Sequence, residues 1–191
     1  MPLCRILDER HRVYVDRHFP TTLRKAPGYR YRVLLGVGGN IGDTRRRMNH
    51  LWTYLGRLPQ ICKIRSGVIL RNPPFGFTEQ KDFDNTVIEI GTSLEPKAFL
   101  RLVWRIEKRF GRRRSFANAP RTLDLDILFF ENRSVRTNEL IIPHPHWDER
   151  PSVLVPLESM IHKCFDKTRK RVWAHRHGEP SVNVANRYLF R

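Results

Sequence analysis

Apolar positions along the chain follow two periods. Residues 31–37 (YRVLLGV) form a short apolar run with β-branched members, closed by Gly38-Gly39, as expected of a buried strand. Asp43 or Thr44 then offers an N-cap, and Met48, Leu51, Trp52 and Leu55 follow at helical spacing until Gly56 and Pro59. Residues 64–71 predict a second strand, stopped by Asn72-Pro73-Pro74. Residues 83–90 predict a third, with Phe83, Asn85, Val87 and Glu89 on one face. Glu95-Pro96 opens a second helix, whose apolar positions are Phe99, Leu100, Val103, Trp104, Ile106 and Phe110, and Gly111 ends it. A basic loop, 112–121, enters a fourth strand at 122–130. The order β-α-β-β-α-β predicts an α+β fold, a ferredoxin-like core with an antiparallel sheet and helices on one face. Residues 139–161 are apolar and punctuated by proline, a segment expected to pack over the sheet.

Composition narrows the class. The 191 residues suit one domain, and 40% hydrophobic content supports a core. No stretch approaches the roughly 18 apolar residues of a membrane span. The first dozen residues carry Arg, Asp and Glu where a signal peptide is apolar, so a cytoplasmic protein is expected. Cys4, Cys62 and Cys164 are odd in number and far apart, which excludes a disulfide framework and a CxxC site.

The net charge of +17 first suggests nucleic acid. Its distribution changes that picture. Residues 1–30 carry +4 and residues 162–191 carry +6, leaving +7 on the central 131 residues. We therefore divide the chain into an N-terminal extension (1–28), a domain (29–161) and a basic C-terminal extension (162–191). The extensions are read either as flexible tails or as segments that pack on the core and aid oligomerisation. The expected state is a monomer or weak homo-oligomer.

The sharpest chemical signal is PRTLDLDI, residues 120–127. Alternation on a strand puts Asp124 and Asp126 on one face, with Leu123, Leu125 and Ile127 on the other. Paired carboxylates repel, and a divalent cation resolves the repulsion; hard oxygen donors without a nearby His or Cys favour Mg²⁺. An isolated DxD is more often a solvated strand. Here Arg112, Arg114 and Arg121 lead into it, and guanidinium forks beside a metal suit a polyphosphate. GVGGNIGD, residues 36–43, fits neither a dinucleotide fingerprint nor a P-loop, and reads as a strand-to-helix turn. His144-Pro145-His146 lacks a third ligand in register, so a single histidine contacting phosphate is the better reading.

GGNIGD, NPPFG followed by QKDFDN, RIEKRFGRRR, PRTLDLDILFF and IPHPHWDERPSVLVPL occur in order over about residues 31–160. This arrangement resembles the 6-hydroxymethyl-7,8-dihydropterin pyrophosphokinases of folate biosynthesis. The resemblance implies transfer of pyrophosphate from ATP to the pterin hydroxymethyl oxygen, with release of AMP and two Mg²⁺ ions. It implies Asp124 and Asp126 as metal ligands, and Arg112, Arg114 and Arg121 as catalytic cations. Leu100, Glu107, Arg112, Arg114, Ile127, His144 and Arg150 fall at the ATP site, and Asn72, Pro73, Phe75, Phe83 and Asn85 at the pterin site. The only expected partners are ATP and the pterin, with neither nucleic acid nor membrane.

Departures from the family pattern are specific. Asn72 stands where Thr is common. The loop after Arg114 looks one residue short, and Asn118 occupies the place of a Trp that covers the pterin; Phe116 is its candidate replacement. Pro151-Ser152 replaces the aromatic after Arg150, Glu139 an Arg, and Trp104 a Gln near adenine. Two other readings stay open: an RNA-binding module, since the same element order serves that use, and a two-metal nuclease, which lacks a third acidic ligand in register.

Overall fold

The computed structural model describes residues 3–23, 28–113 and 118–161. The C-terminal extension, Arg114 and Phe116 lie outside them. The elements are β1 (Leu3–Ile6), β2 (Arg12–Val15), β3 (Thr21–Thr22), β4 (Tyr31–Gly39), α1 (Thr44–Leu55), β5 (Ile61–Ser66), β6 (Ile69–Asn72), β7 (Phe83–Thr92), α2 (Pro96–Arg109), β8 (Asp124–Phe130), β9 (Val135–Arg136), β10 (Ile141–Ile142) and α3 (Pro151–Ile161).

One antiparallel sheet runs β1-β2-β6-β7-β4-β8, with β5 on the same edge of β7 as β6. Asp43 caps α1 by accepting the Arg46 amide at 3.0 Å, and Pro96 occupies the first turn of α2. Both helices bury their apolar stripes on one sheet face: Met48, Leu51, Trp52 and Leu55 from α1, with Phe99, Val103 and Ile106 from α2, meet Val33, Leu35, Val37, Leu125 and Ile127.

Two expectations need correction. Helices do not sit on one face alone. Val153 and Leu157 of α3 pack against Leu34, Val87, Leu128 and Phe129, a second cluster made from strand positions that point away from α1 and α2. Apolar residues on both sides of β4 and β8 would otherwise be left exposed to water. The single strand expected over 64–71 is two strands, broken at Gly67-Val68. A Cβ on Gly67 would overlap the backbone carbonyl of Pro156 in α3. The break is therefore where helix backbone touches sheet backbone, a contact that only glycine permits.

Residues 3–23 are part of this packing. Strand β2 pairs with β6 in the register Arg12↔Arg71, Val13↔Leu70, Tyr14↔Ile69. The guanidinium groups of Arg45 and Arg71 lie 4.3 Å and 5.3 Å from the centre of the Tyr14 ring. Arg71 in turn donates to the buried Asp84 at 2.8 and 2.9 Å, so the strand is tied to the centre of the sheet.

Gly67→Ala should lower stability by roughly 1–3 kcal/mol, because neither backbone can retreat without breaking sheet or helix. A urea midpoint equal to that of the wild type would contradict the close approach.

Candidate active site

Strand β8 lies directly against β4, with Gly36 opposite Asp126 and Gly38 opposite Asp124. Both carboxylates therefore stand above bare backbone. The floor continues to β7, where Asn85 is opposite Gly38. A Cβ on Gly38 would overlap Asn85 Oδ1, so this glycine makes room for the amide. Gly36 and Gly38 of GVGGNIGD are therefore strand residues of the site floor, and the turn into α1 begins only after Gly39.

Above this floor is a cavity of about 570 Å³. Asp124, Asp126, Arg121 and His144 line it together with Asn72, Pro73, Phe75, Phe83 and Asn85, and the Arg121 guanidinium lies 5.1 Å from the centre of the Phe83 ring. Arg150 also borders it, with its guanidinium 6.0 Å from the ring of Phe75 at the rim. A second cavity of about 290 Å³ is lined by Leu100, Trp104, Glu107, Arg112 and Ile127. The two share Asp126 and His144. Every expected site residue that is described therefore lines one cavity or the other, and the groups expected for adenine are separated from those expected for the pterin.

The charged groups form a connected cluster. Arg112 pairs with both Glu107 and Asp124, and Arg121 Nε lies 2.7 Å from Asp124 Oδ2. Glu107 also accepts the Leu125 amide at 2.8 Å, which ties α2 to β8. The Asp124 contacts are ion pairs without hydrogen-bond alignment: its Oδ1 and Arg121 Nε are buried and make no hydrogen bond. His144 Nδ1 is likewise buried without a hydrogen bond.

Burial pushes the Glu107 carboxyl up to about 7; the Leu125 amide and Arg112 oppose the rise, and Asp124 adds to it. Asp126 is raised first by burial and then by the charge of Asp124, against the pull of His144, Arg121 and Arg112.

A hard divalent cation fits this donor set. Two carboxylates share a face, the buried Asp124 Oδ1 is ion-paired with Arg112 but accepts no aligned hydrogen bond, and the proton affinity of Asp126 is raised beside it. Among the described residues no group of three His, Cys, Asp or Glu converges on one point. That suits Mg²⁺, which takes one or two carboxylates and fills its remaining positions with water and phosphate oxygens.

Composition and spacing did not identify the residues that hold these loops. Asn40 Oδ1 accepts the Arg121 amide at 2.9 Å, and its backbone N–H donates to the Arg121 carbonyl at 2.9 Å. Its side-chain amide donates to Gln80 Oε1 at 2.8 Å and to the Lys81 carbonyl at 3.0 Å. Gln80 donates in turn to the Asn118 carbonyl at 3.0 Å, so three loops share one network. Asn72 accepts from Asn85 Nδ2 at 2.7 Å and fixes which way that amide points. The family resemblance points to Asn72, but nothing local in the sequence points to Asn40 or Gln80.

Residues 34–162 match the family model of 7,8-dihydro-6-hydroxymethylpterin-pyrophosphokinase. The 2-amino-4-hydroxy-6-hydroxymethyldihydropteridine pyrophosphokinase of Helicobacter pylori is 44% identical over 147 residues, covering 76% of this chain and 90% of the relative. The proteins of the same name from Campylobacter jejuni and Bacillus subtilis are 38% and 34% identical, covering 74% and 75% of this chain and 90% and 91% of those proteins.

The Glu107 shift predicts a pH dependence. A carboxyl whose folded pKa lies above its unfolded value contributes stability below the unfolded value, and that contribution is lost as pH rises through about 7. In metal-free buffer, wild-type stability relative to Glu107→Gln should fall between about pH 5 and pH 8. Denaturant titrations of both proteins would detect this; a constant difference would show that Glu107 is ionised throughout.

Proposed function

The chain belongs to the 7,8-dihydro-6-hydroxymethylpterin-pyrophosphokinase family, and from that premise we propose how its own residues serve the reaction. The reaction moves pyrophosphate from ATP to the hydroxymethyl group of the dihydropterin, in folate biosynthesis. The pterin alcohol oxygen forms a bond to the β-phosphorus and gives up its proton to solvent, the bond from that phosphorus to the AMP oxygen breaks, and AMP leaves.

The observation that carries the assignment is the junction of the two cavities at Asp126 and His144. ATP would place its base in the smaller cavity, against Leu100 and Ile127, and run its phosphates past His144 toward Asp124 and Asp126. The pterin would lie in the larger one, with Asn85 reading its edge and Pro73, Phe75 and Phe83 beside its ring. Asn72 orients Asn85 and so belongs to the same subsite. Mg²⁺ held by Asp124 and Asp126, two ions by family resemblance, would supply charge neutralisation along the phosphates. Arg112 and Arg121 hold Asp124 in the free protein. Both are placed to shift part of their pairing to phosphate oxygens, where guanidinium groups offset developing charge. Arg114, in the same loop but outside the described residues, and Arg150 at the cavity rim are assigned to ATP as well. Phe116, also outside them, is assigned to the pterin side.

The core is read as ferredoxin-like, supported by the order β8-β4-β7-β6 and by the α1 and α2 crossovers on one face. The RNA-module reading is disfavoured by α3, which covers part of the sheet face that such a module leaves open for stacked bases.

Asp126→Asn should reduce AMP release from ATP and the hydroxymethylpterin by about 10²-fold or more, while its thermal midpoint stays at or above the wild-type value. Removing a buried carboxylate relieves repulsion from Asp124, so loss of fold is not expected. Asp124→Asn should be equally inactive but less stable, since it frees Arg112 and Arg121. Wild-type turnover in both variants would refute the metal assignment.

A further inference from the structure

The large cavity has a wall that the family-matching residues do not supply. Arg10 and His11 line it together with Asn72, Pro73, Phe83 and Asn85, and both precede residue 34, where the family match begins. They sit in the turn of the β1–β2 hairpin. The β2–β6 register pairs Arg12 with Arg71, so continuing it brings His11 alongside Asn72 and Arg10 alongside Pro73. The turn therefore borders the subsite assigned to the pterin. Neither residue lines the smaller cavity.

The turn is built to hold a fixed shape. Asp8 accepts the backbone N–H of Arg10 at 2.8 Å and of His11 at 2.9 Å, and its carboxylate meets His11 Nδ1 at 3.0 Å. Leu7 and His11 close the turn through a backbone bond at 2.9 Å. The base of the hairpin is anchored by buried Val13, in contact with Leu7, Val68, Leu70 and Val155 of α3. The imidazole is thus orientated by Asp8. The Arg10 side chain forms no ion pair among the described residues.

We propose that Arg10 and His11 are substrate-contacting residues of the pterin subsite, supplied by the N-terminal hairpin, and that they set pterin affinity without acting on ATP. The chemistry suits a flat heterocycle carrying carbonyl and ring-nitrogen acceptors. A guanidinium and an imidazole each combine a planar face for stacking with N–H donors at the edge. This rests on the assignment of the large cavity to the pterin.

The test uses the full chain, with Arg10→Ala, His11→Ala and the double variant. Steady-state AMP release at varied pterin and varied ATP gives the two KM values and kcat. Direct pterin binding, followed by its fluorescence, gives affinity without turnover. The double variant should raise pterin KM and Kd by about tenfold, with ATP KM and kcat within about twofold of wild type. Arg10→Ala removes only a side chain from an exposed turn position, so its result stands even if His11→Ala loosens the turn. Unchanged pterin KM and Kd in an active protein would overturn the proposal, as would a rise confined to ATP KM. Wild-type protein that releases no AMP would instead overturn the underlying assignment.

Discussion

Asp124 is the carboxylate around which the site is organised. It is buried at the start of β8, between Arg112 at the end of α2 and Arg121 in the loop that enters the strand. A charge in that position is tolerable only because two guanidinium groups face it and Gly38, opposite, takes no space. The same arrangement fixes the end of α2 against β8 through Glu107, and fixes the Arg121 loop against Asn40. The interactions that hold the elements together are thus also those that gather the charged groups of the candidate site.

The arrangement sets cations against carboxylates in the free protein. Before substrates bind, the arginines compensate Asp124, and the raised proton affinities of Glu107 and Asp126 reduce the remaining repulsion. On the proposed reading, metal and polyphosphate would enter together and bring largely compensating charges. That is a physical reason for the arginines and aspartates to occupy one cluster rather than separate walls.

Much of the fold was legible in the sequence because its signals are local. The stripe from Met48 to Leu55, the proline opening α2 and the alternation in LDLDI each depend on residues a few positions apart. The break at Gly67 was not legible, because its cause is Pro156, far along the chain. The second helical layer was hidden for a similar reason. The 139–161 segment was read as covering the sheet, but nothing local distinguishes the two faces it could cover. Among site residues, the DxD pair and its arginines stood out by type and spacing. Asn40 did not, because its role is to join three loops that are distant in sequence.

The sequence by itself determined the side-chain chemistry: two carboxylates at a two-residue spacing, cations at the mouth of the strand, and an amide among apolar neighbours. These follow from side-chain type and strand alternation. Only the tertiary structure decided how that chemistry is partitioned and enclosed. It showed two cavities meeting at Asp126 and His144, and it paired three strands from residues 3–22 with the sheet, placing Arg10 and His11 at the cavity wall. The physical reason is that β pairing and cavity walls join residues without regard to their separation along the chain, so no local pattern encodes them.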